Sequence, residues 1–284
     1  MKTVKFPALA LLSLGMCLAA VSCSDDDKDR PDWDKPTTGD VAIDASSVFP
    51  NGAPRGVNGL TITTDERGDI VSLSNPRDRE EVIFRNSQKD TFRDGVQYDL
   101  TMYVRELTKS ADMEVFYLKL DHAGRITYAR QYDDDREMEE WWMEYNHAGQ
   151  LTKVTRTDDD HEVTDIRYKD GDIVSVTTRD RRGEGSDYTI DYGTLPYLDN
   201  KGCIMLFDDL YGVDIDDMQY AYWAGLLGTP TYHLPLGAVY TETDHPGRTY
   251  TATYHWTYGA APDYPTTLMI EEPGEQPTLI SFTW

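Results

Sequence analysis

The chain has 284 residues, 51 acidic against 27 basic, and a formal charge of −24, with a hydrophobic share of 39%, which suits a single all-β domain of ordinary size. So negative a surface repels nucleic acid and anionic lipid, which sets both aside as partners. The chain has three cysteines, and only Cys203 falls in the part expected to fold, so no internal disulfide is available there.

Residues 1–22 read as a secretory signal. Lys2 and Lys5 form the positive start, Ala8 to Ala20 the apolar core, and small residues lead up to Cys23. The apolar run is too short to span a bilayer as a helix. Ala20-Val21-Ser22-Cys23 resembles the bacterial lipobox, which makes Cys23 the expected lipid attachment site. A rival cleavage before Cys17 would leave six more apolar residues on the mature chain. Losing residues 1–22 removes two lysines and moves the formal charge from −24 to −26.

The next residues, Ser24, Asp25, Asp26 and Asp27, resemble the acidic export signal that follows the lipid cysteine in surface lipoproteins of Bacteroidota. Residues 23–45, rich in Asp and containing Pro31 and Pro36, have the composition of a solvated tether. Multiple acyl chains on one cysteine give stable anchoring, so a membrane is the expected partner through the lipid. Residues 46–284 are expected to form one β-rich domain.

Four segments share one plan: TTDERGDIVSL at 63–73, KLDHAGRITYA at 119–129, EYNHAGQLTKV at 144–154 and RYKDGDIVSV at 167–176. Each runs an extended stretch into a polar turn with Gly68, Gly124, Gly149 or Gly171. Glycine suits a turn that needs positive φ, so each segment predicts a β-hairpin, and the short spacings predict a meander. The apolar pairs Leu151/Val154 and Ile173/Val176 are three apart, which puts them on opposite faces unless a bulge intervenes. Either both faces are covered or bulges curl the sheet, and both favour curvature.

Residues 96–107 and 112–120 read as a further strand pair. In Thr249 to Tyr258 the alternation is strict: Tyr250, Ala252, Tyr254, Trp256 and Tyr258 take one face, which is expected to be packed. One helix interrupts the pattern, at about 214–227, with Ile215, Met218, Tyr222 and Leu226 at helical spacing and Gly228 beyond its end. It is expected to plug or cap the sheet.

The hairpins of the type YNHAGQLTKV, Asn200-Lys201-Gly202, the stretch AYWAGLLGTPTYHLP at 221–235 and the closing LISFTW together resemble the Bacteroidota lipoprotein domain of unknown function 4595. The resemblance covers about residues 55–284, and Gly-Leu-Leu-Gly followed by His233-Leu234-Pro235 is its most specific part. It implies a porin-like, barrel-like antiparallel fold and an outer-membrane address, and it brings no catalytic residues. A transmembrane barrel is disfavoured, because Val163 to Lys169 carries charges on both parities.

Candidate site residues are few. Asp133–Asp135, Asp158–Asp160 and Asp208–Asp209 offer oxygen ligands for calcium, but none has the spacing of a known calcium loop, so no metal or other cofactor is expected. His122 and His147 occupy equivalent turn positions, and two imidazoles alone do not close a zinc site. Cys203 reads as a small buried residue. Trp141 and Trp142 face opposite ways on a strand, and Trp142, flanked by Glu140 and Glu144, is the candidate exposed aromatic for ligand contact.

No phosphate loop, HExxH pattern or nucleophile elbow occurs. The expectation is therefore a non-catalytic, surface-exposed lipoprotein module that binds a glycan or an envelope protein. A structural or assembly role in the envelope is the alternative, and a hydrolase comes last.

Overall fold

The computed structural model describes residues 40–77, 79–86, 92–93, 96–107, 113–133, 136–157, 161–259 and 264–284. The chain divides into Met1–Thr37 and Thr38–Trp284, and every described residue belongs to the second unit. The signal peptide, Cys23 and residues 24–27 lie outside the described residues, as do Asp134, Asp135 and Asp158 to Asp160.

The elements in chain order are β1 Gly56–Val57, β2 Leu60–Thr64, β3 Ile70–Asn75, β4 Glu80–Asn86, β5 Phe92–Arg93, β6 Val96–Gln97, β7 Leu100–Glu106, β8 Met113–Leu120 and β9 Ile126–Asp133. They continue with β10 Arg136–Tyr145, β11 Leu151–Arg156, β12 Val163–Lys169, β13 Asp172–Arg179 and β14 Gly185–Asp191. Two helices follow, α1 Phe207–Tyr211 and α2 Met218–Trp223, and then β15 Gly237–Glu242, β16 Tyr250–Tyr258, β17 Pro265–Glu271 and β18 Thr278–Thr283.

Sixteen of these strands close into one antiparallel barrel. Neighbours in the chain are neighbours in the wall, except that β4 pairs with β7 across the small β5–β6 ribbon and β1 closes the ring between β18 and β2. The stretch expected as one strand at 96–107 is thus split: β6 belongs to the ribbon and β7 to the wall.

The repeated hairpins explain how an apolar pair three residues apart can share one face. In β2–β3, β8–β9, β10–β11 and β12–β13 the register slips by one residue just beside the turn, leaving Val71, Thr127, Thr152 and Val174 as the extra residues. A bulge adds a residue without reversing the face, so Ile70 and Leu73, Leu151 and Val154, and Ile173 and Val176 all point inward and are buried. The turn glycines have φ between +79° and +93°, a region that Cβ-bearing residues avoid. These four turns lie at one mouth of the barrel, called here the plug mouth.

A sixteen-strand barrel is wide enough to leave a water-filled lumen. Here the chain fills its own lumen. Residues 192–236, between β14 and β15, enter from the plug mouth and bury Ile204, Phe207, Leu210, Tyr211, Met218 and Tyr222 against the inner wall. The expected helix is shorter than 214–227: α2 stops at Trp223 because Gly225, at φ +82°, turns the chain, and Asp216 at φ +41° breaks it upstream. The plugging role that the sequence predicts belongs to both helices and the coil around them. Residues 40–45 dock on the barrel too: Val41 N donates to Phe84 O, Ile43 pairs with Ile70, and Ala45 is buried. The folded part therefore begins before residue 46.

Candidate functional site

The outer wall carries charge within its strands: Lys153, Asp165 and Arg167 face the opposite way to the buried Val154, Thr164 and Ile166. A lipid-facing wall would bear apolar side chains there. The terminal Trp284, which could pass for the closing aromatic of a membrane barrel, packs its ring over Gly202 and donates its Nε1–H to Pro265 O at 2.8 Å. No helix among the described residues is long and apolar enough to cross a membrane, which says nothing of the strands.

On the outer face of β8, β9 and β10 lies an aromatic tract. Strand parity splits the two tryptophans: Trp141 is 0% exposed in the core, and Trp142 is 38% exposed outside. Trp142 sits directly opposite Tyr128 across the β9–β10 ladder, with ring centroids 5.4 Å apart. Tyr128 continues to Tyr98 at 6.1 Å, Tyr98 to Tyr117 at 5.5 Å, and Tyr117 to Tyr132 at 5.5 Å. Contacts at these separations are attractive beyond the area they bury.

Charged groups orient this tract. Tyr128 donates its hydroxyl to Glu140 Oε1 at 2.5 Å, and Arg130 pairs with the same carboxylate and donates to the Tyr128 oxygen at 3.1 Å. Burial, then the hydrogen bond to Glu140, raises the Tyr128 phenol above its ordinary value, so it stays a neutral donor. The surface thus offers a ring face beside fixed donors and acceptors on rigid strands.

The second feature is the mouth opposite the plug mouth. The plug carries Asp208, Asp209, Asp214, Asp216 and Asp217 toward it, where the wall supplies Glu80, Glu114 and Glu139. Arg156, buried on β11, holds the two sides together. It donates to Glu139 at 2.7 and 3.2 Å and to Asp216 at 2.5 Å, pairs with Asp214 at 3.2 Å, and stacks over Trp141 at 4.4 Å. Tyr220 donates to Glu80 at 2.6 Å.

Asp208 and Asp209 are open to solvent, yet they sit in a recess ringed by the wall. Limited hydration there, then the neighbouring charges of Asp214 and Asp209, pushes Asp208 up to about 7. Burial, then Glu114 and Glu80, holds Asp217 well above the usual carboxylate range. Sequence reading weighed Asp208–Asp209 as oxygen ligands for calcium and found no calcium-loop spacing, and it missed Arg156, because nothing local distinguishes an arginine followed by Thr157 and three aspartates from a surface one.

The remaining candidates lie apart. His122 and His147 are exposed on their turns. Cys203 lines a recess of about 360 Å³ at the plug mouth, where burial pushes its thiol up to about 11, which disfavours the thiolate. Among the described residues, Glu242, Asp244 and His245 bring possible metal-binding atoms within 4.8 Å of one another, and His245 Nδ1 lies 3.3 and 3.0 Å from the two carboxylates. His233 bonds Asp172 through Nδ1 at 2.7 Å, with the Asp172 carboxylate also taking the His233 backbone N–H at 2.8 Å.

A family model, the domain of unknown function 4595 with porin-like fold, matches residues 62–261. A solved porin-like protein from Bacteroides uniformis is 14% identical, covering 79% of this chain and 88% of its own, with a TM-score of 0.52. A porin-like protein from Bacteroides vulgatus is 11% identical, covering 82% and 98%, with a TM-score of 0.45. The first of these likenesses shows the fold alone. No curated protein matches the sequence.

Proposed function

We infer that this chain, which belongs to the family of the domain of unknown function 4595 with porin-like fold, is a non-catalytic binding module held at the outer membrane by a lipid on Cys23 and facing the cell exterior. The lumen is filled by the plug, so the barrel serves as a rigid scaffold and not as a conduit. The proposed ligand is a glycan, and the proposed contact is the exposed Trp142 end of the aromatic tract, whose Tyr98 and Tyr132 are buried.

The observation that carries this reading is the exposed Trp142 ring, fixed by Tyr128 and flanked by the Arg130–Glu140 pair. A pyranose presents an apolar C–H face and a rim of hydroxyls. Trp142 suits the face, and the charged pair suits the rim. Placement on strands keeps the geometry within the tolerance that recognition needs.

The test is a glycan array with the acylated chain and with Trp142→Ala. Specific binding that is lost in the variant, with an unchanged circular dichroism spectrum, supports the reading. Binding that survives Trp142→Ala removes the tract as the contact, and a blank array shifts the ligand to an envelope protein.

A further inference from the structure

We propose that the plug mouth faces the lipid surface and that the loop Leu195-Pro196-Tyr197, with Tyr232 beside it, seats in the membrane interface as a second, weak anchor. This rests on the lipid attachment at Cys23 inferred above.

Three observations lead there. The first is where the chain enters the barrel. Asp40 bridges Arg85 at the end of β4, and Ile43 pairs with Ile70 at the start of β3; both strand ends lie at the plug mouth. The stretch from Cys23 to Asp40 reaches at most about 60 Å fully extended. Cys23 therefore joins the folded part at the plug mouth, so the lipid attachment enters the barrel on that side.

The second observation is an apolar tip. Leu195 is 77% exposed, Tyr232 55% and Tyr197 38%, three of the eight large exposed hydrophobic residues among those described. They are neighbours: Tyr197 meets the His233 ring at 5.1 Å, and the Tyr232 ring lies against Gly171 in the β12–β13 turn. Scattered singly, such residues need no explanation, but three on one loop cluster do. Tyrosine with an adjacent leucine is the pairing that the water–lipid boundary favours, since one end of the ring is apolar and the hydroxyl stays wet.

The third is charge. Carboxylates around Asp208, Asp214, Asp216 and Asp217 crowd the opposite mouth, and Asp170, Asp191 and Asp199 stand beside the apolar tip, so the lipid surface this mouth suits is a zwitterionic one. The acyl chains on Cys23 supply the attachment, and a weak apolar patch beside the tether sets which mouth lies on the lipid.

The experiment uses the full acylated chain on phosphatidylcholine vesicles. An environment-sensitive fluorophore is placed through Leu195→Cys or, at the opposite mouth, Glu275→Cys; Cys203 is buried and Cys23 carries the lipid. Flotation first shows whether the protein is on the vesicle. With the protein bound, the label at 195 is expected to shift to the blue and to be quenched severalfold more by nitroxide lipids than the label at 275. Equal quenching, or no quenching at 195 on floating vesicles, overturns the inference while leaving the anchor intact. A chain that does not float overturns the anchor reading and the inference with it. As a second variant, the combined Leu195→Ser and Tyr232→Ser change leaves the Trp142 tract untouched and, with the fluorophore placed through Tyr197→Cys, is expected to lower its quenching by nitroxide lipids; unchanged quenching counts against the proposal.

Discussion

The guanidinium of Arg156 on the barrel wall donates to the Asp216 carboxylate of the plug at 2.5 Å while its other side is fixed by Glu139 at 2.7 Å. Sixty residues separate the two in the chain. The pair tells wall and plug where they stand relative to each other.

Removing one partner of such a buried network leaves the others charged without compensation. Arg156→Met is expected to destabilise by about 3–5 kcal/mol, read as a lowered midpoint in urea. Arg156→Lys should recover little of this, because an ammonium cannot make the forked contacts to two carboxylates. A midpoint unchanged in both variants would mean that the plug is held by apolar packing alone.

Protonation of the acidic recess gives a pH dependence of known sign. Asp208 in the folded chain keeps its proton up to about 7, whereas an unfolded aspartate loses it at about 4. The folded state then binds more protons in between, so stability falls as pH rises through that window. Asp209, Asp216 and Asp217 are shifted the same way. After discounting for its exposure, Asp208→Asn is expected to gain on the order of 1 kcal/mol at pH 8, about 2–4 °C in Tm, and to gain little at pH 4. A melting curve that is insensitive to the variant at both pH values would contradict this.

Two glycines separate turn geometry from packing. Gly68 has φ +88° with open space where a Cβ would stand, so Gly68→Ala costs the conformational penalty alone, about 1 kcal/mol. Gly228 has φ +81°, and an added Cβ would lie 2.3 Å from the backbone oxygen of Gly149. Gly228→Ala adds a backbone clash between plug and wall, and we expect a loss of more than about 3 kcal/mol. Equal losses in denaturant titrations would place Gly228 in looser surroundings than the geometry indicates.

Adjacent tryptophans should behave oppositely. Trp141→Ala empties a fully buried site and is expected to cost about 3–5 kcal/mol. Trp142→Ala removes a partly exposed ring and should cost less than about 1 kcal/mol while abolishing glycan binding. Thermal melts beside array binding separate the two effects.

Local sequence is sufficient for hairpins, because turn chemistry and side-chain alternation act over a few residues. The glycines of the four repeats, the packed face of Tyr250 to Tyr258 and the split between Trp141 and Trp142 were all legible this way, and the recognised family adds closure of the sheet as an implication. Whether Leu151 and Val154 share a face was not legible, because the bulge at Thr152 is set by the register with β10. The plug is the larger case. The helical pattern at about 214–227 predicts a plug or cap, and only the closed sixteen-strand wall decides that the whole of residues 192–236 packs inside. Arg156 illustrates the same limit: its partners Glu139, Asp214 and Asp216 come from distant stretches of chain, and burial, which only the closed barrel creates, is what turns an ordinary arginine into the link between wall and plug.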